Sequence, residues 1–234
     1  MQRRDIGRLA LCGLLGVTVN QMLFIKGLTL TTAIHASLLM LCSPILITIL
    51  AFWILKERVT ILKIAGLALG VMGSVWLIAG KQNTSQPKDY LLGDIFIVLN
   101  GISYAFYFIL VKPLMERYTS LQVVRWVFTF GFIMMLPIGW LQFGNIHWQV
   151  FGLKYAGVLA FVILAGTFLA YVLNAYGIRI LGPGTTSAYI YIQLVFAVAI
   201  AVLFFNEQLT SQKIIAGIMI LGGVYLVSMK KRFP

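Results

Sequence analysis

The segment KERVTILK (56–63) recurs as NEQLTSQK (206–213), with glutamate, threonine and lysine at the same three positions. The two copies are 150 residues apart, and each separates two long uncharged runs. The first copy carries two positive charges, Lys56 and Arg58, at positions where the second copy has uncharged amides. A segment repeated without its flanking charge indicates one structural unit that is used twice in different surroundings.

The composition indicates that these surroundings belong to a lipid bilayer. Hydrophobic residues make up 61% of the chain, charged residues make up 10%, and the mean hydropathy is +0.97. Soluble domains are about half apolar and about a quarter charged. A chain of 234 residues could not bury so much apolar surface in a water-soluble globule, so lipid must be its solvent.

Several classes of function are disfavoured by the residues that are present. The net charge is +12, and the lysines and arginines that produce it lie between the apolar runs. They form no basic surface interleaved with aromatic residues, so nucleic-acid binding is not expected. Cys12 and Cys42 lie within apolar runs without a CxxC or CxxH neighbour, so no metal site is predicted. The sequence has no paired carboxylates, HExxH, nucleophile elbow or phosphate loop, and we therefore expect no catalytic residues, no enzyme activity and no cofactor.

The uncharged runs predict an all-α membrane protein with eight transmembrane helices. A helix needs about 20 apolar residues to cross a bilayer, and helices satisfy their own backbone hydrogen bonds in lipid. Pro44 lies within the second predicted helix and should kink it, for gating or for packing. The predicted helices are 7–27, 32–55, 60–79, 91–112, 120–143, 153–178, 184–205 and 210–229.

The loop charges predict the orientation of these helices. Of the 18 lysines and arginines, 13 lie on the side of the two termini and five lie on the other side. The positive-inside rule then places both termini in the cytoplasm. The first copy of the repeated segment lies inside and the second lies outside, so the two copies are inverted relative to each other.

The repeat extends beyond the two hairpins. Residues 26–64 align with 176–214 without gaps, although membrane helices resemble one another in any case. The unit that ends near 229 has five predicted helices, whereas the unit that ends at 79 has three, so two further helices are expected before residue 1. This predicts a 3+5 part of a 5+5 inverted-repeat fold, with an incomplete first repeat at 1–80, an outer linker at 81–90 and a complete second repeat at 91–234.

The chain resembles the EamA-type family of the drug/metabolite transporter superfamily. The resemblance is carried by GLTLTTAIHASLL (27–39), SPIL (43–46), KERVT (56–60), GIRILGPGTTSAY (177–189) and NEQLT (206–210). It implies a plasma-membrane protein that exports, or sometimes imports, small metabolites, amino acids or drugs by alternating access. The partners would be the lipid bilayer and a small-molecule substrate. The alternative from another class is a non-transporting fragment or a membrane assembly subunit.

Polar residues inside the predicted helices are the candidates for a substrate cavity, because burying them without partners costs a few kcal/mol each. Each could instead form hydrogen bonds between helices, and for the set as a whole the cavity interpretation is favoured. The candidates are Asn20, Gln21, Asn100, Ser103, Tyr104, Tyr107, Asn174, Tyr189 and Gln193.

The hairpin residues Glu57, Lys63, Glu207 and Lys213 have two interpretations. They could form caps and ion pairs at the membrane surface, which is favoured, or the glutamates could couple transport to protons. Separately, glycines at 66, 70 and 73 give the third helix a smooth face that allows close helix contact, within the fold or in a homodimer.

Overall fold

The uncharged runs form helices in the computed structural model. The structure describes residues 2–31, 36, 39–79, 90–144, 152–205 and 211–229. Within these ranges all regular structure is helical and no strand occurs. We label the helices α1 (Arg3–Leu30), α2 (Ser43–Leu55), α3 (Ile61–Ala79), α4 (Tyr90–Arg117), α5 (Ser120–Phe143), α6 (153–181), α7 (183–205) and α8 (Ser211–Ser228).

Three of these helices contain irregular turns. In α1, the segment Leu14–Thr18 has π-helical hydrogen bonding, and in α6 the segment Val162–Leu169 has the same. In α7, a short 3₁₀ turn at Tyr189–Tyr191 separates Pro183–Ala188 from Ile192–Phe205. Such interruptions inside helices often mark functional positions.

The helices suit a membrane in length and composition. Those long and apolar enough to span a bilayer are Arg3–Leu30, Leu91–Arg117, Ser120–Leu141 and Tyr155–Leu181. Shorter apolar helices lie at Ser43–Leu55, Ile61–Trp76 and Ile214–Ser228. The prediction of an all-α membrane protein is therefore confirmed, whereas the count of eight membrane crossings stays a prediction.

The second predicted helix, 32–55, is wrong in its course. Leu41 and Cys42 form a turn, and the backbone N–H of Cys42 donates to the Leu39 carbonyl at 3.1 Å. Helix α2 then begins at Ser43, with Pro44 in its first turn. A proline has no N–H to lose at that position, so Pro44 starts a helix and does not kink one.

The ends of α1 and α4 also differ from the prediction, and one contact explains both. Helix α1 begins at Arg3 and α4 continues through Pro113 to Arg117. The Asp5 carboxylate is buried there, with Arg117 Nη1 at 3.3 Å and the donating Tyr118 hydroxyl at 2.9 Å. Two charged segments that look like loops in the sequence therefore form helix ends, because their side chains contact each other.

Helix α4 lies at the centre and packs on α1, α2 and α6. Its fully buried side chains include Tyr107, Phe108 and Val111. Helix α1 runs antiparallel to it: Asp5 meets the end of α4, and at the other end Thr31 Oγ1 donates to Asp94 Oδ1 at 2.5 Å near its start. The register of these two helices is thus fixed at both ends.

The glycine face of α3 packs on α8 within the same chain. A Cβ added at Gly66 would lie 2.5 Å from the Gly223 carbonyl oxygen, and one added at Gly73 would lie 3.0 Å from the Ala216 carbonyl oxygen. Glycine is needed because the backbones touch. The close contact expected from these glycines is therefore intramolecular, and a homodimer stays a prediction.

Candidate functional site

A cavity of about 220 Å³ lies among five helical segments. It is bounded by α1, α4, α6, α7 and the start of α2, together with Met40, which precedes the turn before α2. None of the described side chains that line it carries a formal charge. The lining residues are Asn20, Gln21, Phe24, Met40, Ser43, Asn100, Tyr104, Tyr171, Ile190 and Gln193.

The structure brings together part of the predicted set. Five of the predicted residues line the cavity: Asn20, Gln21, Asn100, Tyr104 and Gln193. The other four, Ser103, Tyr107, Asn174 and Tyr189, are not among its lining residues.

These four residues have other surroundings. Ser103 Oγ donates to the Leu15 carbonyl at 2.7 Å, and Tyr107 is 1% exposed with its ring against Gly16. The Tyr189 hydroxyl is on an exposed side chain and accepts a hydrogen bond from Ser228 Oγ. Asn174 is half-buried on α6. Ser103 therefore joins two helices, which is the packing role that the sequence left open.

Two polar lining residues were not among the candidates. Tyr171 lies one helical turn before Asn174 on α6, so the spacing could have suggested it. Ser43 precedes Pro44, and its position at a helix start was hidden by the expectation of a continuous helix. The apolar lining residues gave no sequence signal, since most residues in the chain are apolar.

Two asparagines in the cavity wall clasp each other's backbone. Asn100 Nδ2 donates to the Asn20 carbonyl oxygen at 2.8 Å, and Asn20 Nδ2 donates to the Asn100 carbonyl oxygen at 3.4 Å. Asn20 is 9% exposed and Asn100 is 5% exposed. The pair therefore holds α1 and α4 together from within the bundle while facing the cavity.

Two backbone carbonyl groups in the π-helical segment of α1 accept hydrogen bonds from side chains of other helices. Ser103 Oγ donates to the carbonyl of Leu15, and the Tyr171 hydroxyl donates to the carbonyl of Gly16 at 2.6 Å. Gly16 also admits the Tyr107 ring, because an added Cβ would lie 2.5 Å from it. One hydroxyl on the cavity wall thus links the cavity to the irregular turn of α1.

The hairpin between α2 and α3 carries a partly buried ion pair. Lys63 Nζ lies 3.2 Å from Glu57 Oε2, with side-chain exposures of 8% for Lys63 and 22% for Glu57. The pair packs on the glycine turn between α6 and α7: a Cβ at Gly182 would lie 2.6 Å from Glu57 Oε1, and one at Gly184 would overlap Lys63 Nζ. Gly182 has a φ of +84°, which side chains rarely adopt.

The pair is less exposed than the sequence suggested, because the glycine turn covers it. Glu207 of the second hairpin and the side chain of Lys213 lie outside the described part of the structure. Across the described ranges, no group of three or more His, Cys, Asp or Glu could hold a metal ion.

The chain is similar to proteins of one transporter family. The sequence model of the EamA-like transporter family matches residues 2–79 and 91–229. The "Uncharacterized transporter YetK" of Bacillus subtilis is 23% identical over 235 residues, which cover 100% of this chain and 71% of that protein. The "Probable terminal-alkyne amino-acid exporter" of Streptantibioticus cattleyicolor is 26% identical over 232 residues, covering 97% of this chain and 74% of that protein.

A solved structure described only as "Crystal structure of protein" has a similar fold. The two superpose with a TM-score of 0.78 at 17% sequence identity, over 98% of this chain and 79% of that one. At this identity the likeness extends to the fold alone.

Proposed function

Because this chain belongs to the EamA-like transporter family, we propose that it exports small metabolites or amino acids across the plasma membrane by alternating access. The observation that carries the proposal is the uncharged polar cavity. Its walls come from both family-matched segments, with Asn20 and Ser43 in the first and Asn100, Tyr171 and Gln193 in the second. A site between two halves is where an alternating-access transporter binds its solute.

The size of the cavity favours small solutes. Its volume is 220 Å³, whereas pockets for drug-sized ligands measure about 300–1,000 Å³. The four amide side chains supply hydrogen bonds, while Phe24, Met40 and Ile190 supply apolar contact. This combination fits a small solute that has both polar groups and an apolar part, and it disfavours the drugs that the family resemblance also allowed.

The inverted repeat is supported by irregular turns at the same 150-residue offset. The π-helical segment Leu14–Thr18 corresponds to positions 164–168, which lie inside the π-helical segment Val162–Leu169. The turn at Leu41 corresponds to Tyr191 in the 3₁₀ turn of α7. The Tyr191 hydroxyl donates to the Leu41 carbonyl at 3.0 Å, so two equivalent positions touch. Contact between equivalent positions is expected at a two-fold axis.

The contacts between α3 and α8 support the same axis, because they are reciprocal. Gly66 meets Gly223, and the offset converts this pair into Ala216 and Gly73, which also meet. A two-fold axis in the membrane plane exchanges helices in this way and relates inverted halves. The 5+5 fold with two further helices, the division into repeats at 1–80 and 91–234, and cytoplasmic termini remain parts of this proposal.

A second candidate function is favoured by the surface of α6. The membrane-length part of this helix, Tyr155–Leu181, has 0% of its most apolar window buried. At Gly166 an added Cβ would meet nothing within 4 Å, whereas the equivalent Gly16 of α1 is covered by Tyr107. An apolar helix so open fits a membrane assembly subunit or a fragment that does not transport alone.

Transport by the purified chain in proteoliposomes distinguishes the two candidates. We expect uptake of at least one solute from a panel of radiolabelled L-amino acids, and loss of uptake in Gln193→Trp, which fills the cavity. Tyr189→Trp is the matched control on the same helix away from the lining, and it should retain uptake. If no solute of the panel moves, the assembly subunit or fragment replaces the transporter; if Gln193→Trp transports normally, the cavity is not the route.

A further inference from the structure

We propose that the cavity selects solutes by N–H donors, above all a protonated primary amine, and discriminates against carboxylates that carry no amine. The inference rests on the proposed function, since it names the chemical class that the same cavity binds. It starts from Asn20 and Asn100, whose side-chain amides face each other's backbone.

The direction of these two amides is fixed by chemistry. A backbone carbonyl oxygen can only accept a hydrogen bond, so the group that approaches it at 2.8 Å from Asn100 must be the amide nitrogen. The same holds for Asn20 on the carbonyl of Asn100 at 3.4 Å. One N–H of each NH₂ group is therefore used within the protein, and each asparagine has its whole side-chain oxygen left as an acceptor.

These two oxygens belong to residues of the cavity wall. Among the described residues, neither receives a hydrogen bond from the protein. The sealed side-chain atoms without a partner are instead those of Thr48, Tyr107 and Ser120. Since both asparagines line the cavity, their unpaired oxygens are available to an occupant.

The other polar groups in the wall do not reverse this preference. The Tyr171 hydroxyl donates its hydrogen bond to the Gly16 carbonyl, so it can only accept a hydrogen bond from an occupant. Gln21 is already hydrogen-bonded to the Tyr171 side chain. Gln193, Ser43 and the Tyr104 hydroxyl can each turn to donate or to accept, so they adapt to either kind of solute. The fixed polar groups of the wall that have no partner at all are therefore acceptors, whereas each asparagine NH₂ already has one.

Acceptors without a counter-charge suit an amine better than an acid. A carboxylate would face two fixed oxygens and find no positively charged side chain among the described lining residues. An ammonium group donates three hydrogen bonds, and the lining residues Phe24, Tyr104 and Tyr171 bring aromatic rings, which attract a cation. The apolar lining then receives the carbon body of the solute.

Three probes with the same carbon skeleton test the preference for an amine over an alcohol and a carboxylate. Phenethylamine, 2-phenylethanol and phenylacetate are titrated against the purified chain in lipid nanodiscs by isothermal calorimetry. We expect the amine to bind about tenfold or more tightly than the alcohol, and phenylacetate to bind most weakly. Binding of phenylacetate as tight as that of the amine overturns the inference, and so does failure of all three probes to bind.

Asparagine-to-aspartate substitutions give the matched variants. Asn100→Asp keeps the acceptors, removes the clasping NH₂ and adds negative charge, so the preference for amine over alcohol should rise about tenfold. Asn174→Asp places the same change on α6 away from the lining and should leave the preference unchanged. If Asn100→Asp alters stability but not the order of the probes, the pair serves packing alone and the inference fails.

The outcomes separate this inference from the proposed function. Transport of amino acids together with a preference for phenylacetate would leave the transporter standing and remove the amine selectivity. Amine-selective binding without transport of any solute would keep the selectivity and remove the transporter.

Discussion

Replacing Gly223 by alanine tests the crossing of α3 and α8 on which the reciprocal contacts depend. The added Cβ would lie 2.6 Å from the Gly66 carbonyl oxygen and 2.8 Å from the Gly70 nitrogen. Both neighbours are backbone atoms, so no side-chain rotation can relieve the overlap. The two helices must therefore move apart.

The size of the effect follows from that movement. Ordinary van der Waals contact begins at 3.4 Å, so the backbones must separate by about 0.8 Å, and a gap of that size forfeits about a quarter to a half of the van der Waals attraction. Overpacking of a tight contact costs about 1–3 kcal/mol. We expect Gly223→Ala to lower the free energy of unfolding by that amount.

The measurement is reversible unfolding of the purified chain in lipid nanodiscs, with Gly217→Ala as the matched control. Gly217 lies on the same helix, and a Cβ added there would meet nothing within 4 Å. That change should be neutral or stabilise the helix by up to about 1 kcal/mol, because alanine favours the helix more than glycine does. Equal effects of the two substitutions would refute the assigned crossing.

Three further substitutions follow from other contacts. Lys63→Met should lower the free energy of unfolding by about 1–3 kcal/mol because it leaves the carboxylate of Glu57 unpaired. Adding Glu57→Gln should recover most of that loss. A double-mutant cycle that shows no coupling between the two residues would contradict the ion pair. Gly16→Ala should cost about 1–3 kcal/mol because its methyl group meets an aromatic ring of α4, whereas Gly166→Ala at the equivalent position of α6 should not destabilise; equal losses would argue against the assigned packing. Tyr171→Phe should return the π-helical turn of α1 toward α-helical hydrogen bonding and slow its amide hydrogen exchange, and unchanged exchange would mean that the local sequence alone sets that turn.

The course of the helices was predictable where hydrophobicity alone decides it. The third helix was predicted at 60–79 and is observed at Ile61–Ala79; the fifth, predicted at 120–143, is observed at Ser120–Phe143. The sequence failed where tertiary contacts supply the missing partners. Asp5 and Arg117 look like loop charges in isolation, yet their ion pair at 3.3 Å extends two helices.

The sequence predicts which types of residue line the cavity, but not which of the polar side chains point into it. Polarity within an apolar run picked out Asn20, Asn100 and Ser103 alike, but Ser103 points to a carbonyl of the π-helical turn. The glycine in each π-helical segment, Gly16 and Gly166, does not distinguish it from an ordinary apolar helix. In α1, carbonyl groups of the turn accept from Ser103 and Tyr171 on other helices, which the local sequence does not reveal. Tyr171, one of those donors, does not stand out in the sequence because aromatic residues are common in the chain.

If the protein works by the proposed alternating access, the placement of charge separates solute binding from the change of access. The described lining of the cavity is uncharged, so a solute that enters it displaces no buried ion pair. The ion pair of Glu57 and Lys63 lies instead at helix ends, where the α2–α3 hairpin packs on the Gly182 turn between α6 and α7. An access change that moves the two halves apart at this end must break that contact. Substitutions in the cavity should therefore alter which solute binds, and substitutions at the ion pair should alter the rate of transport at unchanged affinity.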